Sequence, residues 1–146
     1  MKMHHAIDMY DKFRKDNSGT DVNYTLFKYI ISAYNKGIVQ HLLTGGTFHL
    51  GAGLGRLKIS KIKRDFSKRK TINWGETRKH YQQGIEKLVY YTDEYYYRFT
   101  WFKKYCNIKN KSAYNFRPAG GVKGPKKQLV ELLKKDEFAH LNFTAK

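Results

Sequence analysis

The chain has 146 residues, 40% of them hydrophobic and 16% aromatic, enough for one packed domain spanning 1–146. Its 29 Lys and Arg against 12 Asp and Glu give a formal charge of +17, which calls for a polyanion or an acidic partner surface. No stretch approaches the roughly 20 apolar residues of a spanning helix. Cys106 is the only cysteine, and the opening MKMHHAIDMYDKF has acids in place of an apolar run. No membrane contact, disulfide or zinc-finger framework, or secretory signal is therefore expected.

Met3, Ile7, Tyr10 and Phe13 recur at helical spacing and predict a helix over 3–16, broken by Asn17, Ser18 and Gly19. Thr20 or Asp21 can cap a second helix, apolar at Leu26, Phe27, Ile30, Ile31, Tyr34, Ile38, Leu42 and Leu43, that runs to Thr44 and stops at Gly45–Gly46. Gly37 inside it costs roughly 1 kcal/mol against alanine, and a close helix crossing would account for it. The period then changes to two. Phe48 and Leu50 alternate with polar neighbours, GAGLG follows, and Leu57, Ile59 and Ile62 interleave with Arg56, Lys58, Lys61 and Lys63. That is a half-buried strand with a basic outer face, and the slip between Ile59 and Ile62 predicts a bulge.

Residues 64–73 read as a strand end and turn, and 75–84 as a short helix stopped by Gly84. KLVYYT (87–92) and YYYRFTWF (95–102) read as an aromatic antiparallel hairpin turning at Asp93–Glu94, and 109–116 as one more short strand. Pro125 opens a last helix with Leu129, Val130, Leu132 and Leu133 on its apolar face, continued after a break by Phe138 and Leu141. The expected class is α+β, with helices at both ends of an antiparallel sheet.

GAGLG invites comparison with a phosphate-binding loop. A Walker loop needs Lys-Ser/Thr after its last glycine at the start of a helix, whereas Gly55 is followed by Arg56–Leu57 and a strand. Gly51, Gly53 and Gly55 are better read as a structural turn that needs positive φ. The six histidines offer no H-x-x-x-H pair, so no metal site is expected, and His41 or His49 reads as an ordinary, partly buried side chain. No convergent carboxylates mark a nuclease, and no catalytic residue, cofactor or small-molecule substrate is nominated.

The strongest feature is basic. Arg56, Lys58, Lys61, Lys63, Arg64, Lys68, Arg69 and Lys70 face a single acid, Asp65, and Arg117, Lys123, Lys126 and Lys127 add a second group. Tyr95, Tyr97, Phe99 and Trp101 fall on one face of their strand, with Tyr96, Arg98 and Phe102 on the other. Aromatics on both faces are explained most simply if two partners cover the strand.

The order and motifs resemble the HU/integration host factor (IHF) family, in which two helices precede a three-stranded sheet entered by a glycine-rich turn. A basic β-arm follows, and an F-K-P-G-K-x-L motif leads back to a C-terminal helix. The turn is matched by Gly53-Leu54-Gly55-Arg56-Leu57. The return is matched by Phe116-Arg117-Pro118, then Gly124, Lys126, Lys127 and Leu129. The match covers roughly 20–60 and 112–135. It departs by one residue between Leu50 and Gly53, by an inserted 119–123, and by a much longer arm, about 60–112, that lacks the proline with which the family kinks DNA.

TINWGETRK and YYYRF make the elaborated form similar to the IHF-like proteins of crAss-like tailed bacteriophages. That resemblance implies a virion protein, made in the host bacterial cytoplasm, that forms a tail or neck ring. Its partners would be copies of itself and neighbouring tail, neck or portal proteins, with the aromatic strand as the subunit interface. The alternative expectation is an architectural, DNA-bending dimer that contacts double-stranded DNA through the basic residues.

Overall fold

The computed structural model describes residues 6–67, 71–104, 106–121 and 123–145. Helix α1 (Ala6–Asp16) buries no side chain of its own, and is held to α2 (Tyr24–Leu43) by rings. Tyr10 lies 5.3 Å from Tyr24 and 5.4 Å from Phe27, and its hydroxyl donates to the Val22 carbonyl at 3.0 Å. The α2 cap is Asn23, whose side chain accepts from the Leu26 amide at 2.9 Å, and not Thr20 or Asp21. The Thr20 hydroxyl is engaged with the Asn17 carbonyl in the preceding turn. Gly45, at φ 87, follows the helix end. Among the described residues nothing lies within 4 Å of a Cβ placed on Gly37, so no helix crossing among them accounts for it.

Strand β1 (Phe48–His49) pairs antiparallel with β2 (Arg56–Lys63), and β2 with β3 (Tyr95–Phe102). The β2–β3 register runs without interruption from Arg56↔Phe102 to Lys63↔Tyr95, so the expected bulge is absent. Ser60, fully buried, simply takes a regular strand position. Strict alternation then splits the basic side chains. Lys61 and Lys63 share a face with Leu57 and Ile59, while Ile62 joins Arg56 and Lys58 on the other. The single basic outer face is thereby corrected.

A short β4 (Thr144–Ala145) lies parallel to β2 through Ser60 and Lys61, which makes the four-stranded sheet mixed and not purely antiparallel. Against the Leu57/Ile59 face sit Leu42 and Leu43 of α2, Leu129 of α4 (Pro125–Lys135) and Phe143. Pro125 takes the first turn of α4, as the sequence predicts. Phe138 and Leu141 do not extend the core. A 3-10 turn at Ala139–Asn142 buries Ala139 and Phe143 and leaves both of the others exposed.

The predicted 87–102 hairpin does not form. A two-residue hairpin turn needs positive φ, and neither Asp93 nor Glu94 has it. Residues 87–92 instead run beside 71–73: the Tyr91 amide donates to the Thr71 carbonyl at 3.1 Å and the Asn73 amide to the Val89 carbonyl at 2.8 Å. The Arg64 amide donates to Glu94 at 2.8 Å, so β2 and β3 continue outward as a ribbon bearing α3 (Trp74–Gln82). The expected strand at 109–116 is also absent. A 3-10 turn forms at Lys111–Ala113, and the Lys103 ammonium donates to the carbonyls of Lys111 and Tyr114 that a ladder would have used.

Helix α3 is clipped to this ribbon by Thr77. Its fully buried hydroxyl accepts from the Val89 amide at 3.0 Å. Thr77→Val keeps the shape and strands that amide, so it is expected to cost about 1–3 kcal/mol. Amide exchange should show the loss centred on α3 and Val89, with the β2–β3 ladder unaffected.

Candidate functional site

The glycine turn comes first, because its chemistry is settled by its partners. Gly51, Gly53 and Gly55 all have positive φ (71, 69 and 83), and Ala52 joins them at 41. The turn offers carbonyls to the protein's own donors. Trp101 Nε1 reaches the Leu54 carbonyl at 2.7 Å, Cys106 Sγ the same oxygen at 3.0 Å, and the Asn107 amide the Gly53 carbonyl at 2.7 Å. This is a structural clamp between the β1–β2 turn and the end of β3, not a cradle of amides for phosphate. The role of Trp101 and Cys106 was not legible in the sequence, where 47 and 52 residues separate them from Leu54.

A groove of about 1210 Å³ lies between β3 and α4, flanked by residues 115–118. Its floor is apolar, from Tyr97, Phe99, Leu129 and Leu133. Among the described residues, seven cations line it: Lys61 and Arg98 from the sheet, Arg64 just past β2, Lys103 and Arg117 from the connections, Lys126 and Lys134 from α4. Three carboxylates oppose them, Asp93, Glu94 and Glu137. Of the predicted basic residues, the groove thus gathers Lys61, Arg64, Arg117 and Lys126.

The others are placed elsewhere. Arg56 and Lys58 stack on the Phe102 ring from the opposite sheet face, at 5.7 and 4.7 Å. Lys63 pairs with Glu94 at 3.1 Å, and the hydrogen bond and charge of that carboxylate raise its pKa above the ordinary lysine value. Lys127 pairs with Glu131 along α4, and Lys123 is exposed before that helix. Lys68, Arg69 and Lys70 lie outside the described residues. Three cations that do line the groove also lie over rings: Lys61 over Tyr95 at 4.3 Å, Arg64 over Tyr91 at 4.3 Å and Tyr96 at 5.1 Å, and Lys103 over Trp101 at 5.1 Å.

No family model, no curated protein and no solved structure matches the chain.

The aromatic strand divides by depth. The Phe99 side chain is buried in the core, a correction to its place among the interface side chains, and only its backbone faces the open edge of the strand. Tyr97 packs on Phe143 with ring centres 5.7 Å apart, and burial pushes its phenol pKa up. Tyr95, Tyr96, Trp101 and Phe102 remain half-buried. His41 and His49 are both exposed, not partly buried, and His41 Nε2 lies 3.2 Å from the Thr47 carbonyl. Among the described residues, no three of His, Cys, Asp and Glu converge as metal ligands, and no helix is long and apolar enough to cross a membrane.

Arg98, Lys103 and Lys134 are groove residues that sequence reasoning missed. Lys126, Val130 and Lys134 follow one another at four-residue spacing, a signal for one helix stripe that was present in the sequence. That this stripe faces β3 depends on the path of residues 103–124, which carries no regular pattern.

Proposed function

We propose that the chain is an HU/IHF-like domain with an enlarged β2–β3 arm, serving as a structural subunit of a tail or neck ring in a tailed bacteriophage virion. The observation that carries the assembly reading is exposed surface. The chain presents 11875 Å², about half as much again as the ~7800 Å² expected of a compact monomer of this mass. Obligate subunits expose such an excess when taken alone, and permanent interfaces run from about 2,000 to 5,000 Å² or more. Much of it is apolar. Leu26, Tyr29, Ile30 and Tyr34 form an exposed stripe along α2, and Ile7 and Met9 of α1 are exposed as well.

The HU/IHF part of the reading is supported by element order. Two helices lead to β1, a glycine turn and β2; an insertion separates β2 from β3; a proline-opened helix follows. The virion part rests on the sequence resemblance. The proposal predicts the chain in purified particles at a fixed high copy number. Particle proteomics that fails to detect it would overturn the ring.

A second reading, a DNA-binding dimer, is favoured by the excess of cations in the groove and by the net charge. It predicts that affinity for a short duplex falls steeply and linearly with log salt, as several phosphates release counterions. A shallow slope, or a duplex left unbent, contradicts it. Arg56, Lys58, Lys61 and Arg64 are already stacked on rings of their own ribbon, which gives them a structural role without any nucleic acid.

A further inference from the structure

We propose that the open edge of β3 is a docking site for an extended acidic segment of a different protein, which adds to the sheet as a strand in the groove beside α4. The inference does not depend on the ring. β3 pairs with β2 on one side only, and among the described residues no backbone hydrogen bond reaches its other edge. The Arg64 amide bond to Glu94 fixes the alternation: Tyr96, Arg98, Thr100 and Phe102 direct their backbone groups at β2. Tyr95, Tyr97, Phe99 and Trp101 therefore direct theirs outward.

An eight-residue edge strand rich in aromatics is an association hazard that proteins ordinarily blunt with proline, bulges or several charges. β3 has no proline, a register without a bulge, and one charge, Arg98. The groove exceeds the ~300–1,000 Å³ typical of small-molecule sites and lies between a strand edge and a helix. That is the setting in which an added strand combines main-chain bonds with side-chain pockets.

Charge and hydrogen-bond chemistry choose the occupant. Seven cations against three carboxylates favour an acidic one. A second copy of a +17 chain brings further positive charge to a basic groove. Nucleic acid can accept from the outward amides, but its phosphates cannot donate to the outward carbonyls alternating with them. An extended polypeptide does both.

The test uses the full chain and a labelled synthetic peptide of alternating glutamate and valine, with the lysine–valine peptide and a single-stranded oligonucleotide as comparators. Fluorescence anisotropy should show binding of the acidic peptide alone, and Lys126→Glu with Lys134→Glu, both exposed on α4, should weaken it about tenfold. NMR amide exchange should show Tyr95, Tyr97, Phe99 and Trp101 newly protected by the peptide, with Tyr96, Arg98, Thr100 and Phe102 unchanged. Binding without that alternating protection would overturn the added strand. Preference for the oligonucleotide would assign the groove to nucleic acid. Protection of the four amides before any peptide is added would assign the edge to a second copy.

Discussion

Replacing Tyr29 and Ile30 together by aspartate is expected to dissociate the purified protein while leaving each chain folded. In the isolated chain Tyr29 is 72% and Ile30 49% exposed, so two carboxylates there are solvated and disturb no core contact. In an assembly that covers α2 the same positions lose water. Each apolar side chain then forfeits about 1.5–3 kcal/mol of burial, and each aspartate adds the cost of desolvating a charge. Some 4 kcal/mol is a factor of about a thousand in association. Sedimentation velocity should show the lighter species, with the helical circular dichroism retained. An unchanged sedimentation coefficient would remove α2 from the interface.

Gly55→Ala is expected to be strongly destabilising for a single added methyl. Gly55 sits at φ 83, where an L side chain costs about 1–2 kcal/mol. A Cβ there meets the Phe102 carbonyl and comes within 2.7 Å of Cys106 Sγ, so overpacking adds about 1–3 kcal/mol. Gly51→Ala separates the two causes. Its φ of 71 carries the same backbone penalty, but nothing lies within 4 Å of the new methyl. Urea unfolding should place Gly51→Ala about 1–2 kcal/mol below the parent and Gly55→Ala well below that. Equal losses would mean that the close approach of Phe102 and Cys106 to Gly55 adds nothing to the backbone penalty.

Local chemistry made much of the fold readable. Helical periodicity marked α1 and α2, Pro125 marked the start of α4, and the closely spaced glycines marked the β1–β2 turn, because each signal acts within a few residues. The errors arose where a distant segment decided. Residues 87–92 have strand composition but spend their backbone bonds on 71–73, and no local pattern announces that partner. The expected bulge vanished because Ser60 is buried as a polar residue in a regular ladder, where hydropathy alone reads a break. Phe99 and Trp101 were grouped as one interface face, and they do share that face. Depth within the sheet sends the first into the core and the second to the glycine turn. β4 has two residues, too few for any periodicity.

The candidate groove was half legible. Arg117 and Lys126 stood out as basic residues flanking the proline-containing return, and β3 as an aromatic strand with two busy faces. What could not be read was the space between them, set by the path of 103–124.

The assembly proposed above requires other chains to cover the exposed apolar surface of this one. The most direct measurement is the native mass of the purified protein across micromolar concentrations. A discrete oligomer, many-fold for a ring or two-fold for a DNA-bending dimer, is the predicted result. A species that stays at 17.3 kDa, stable and soluble throughout, would contradict it.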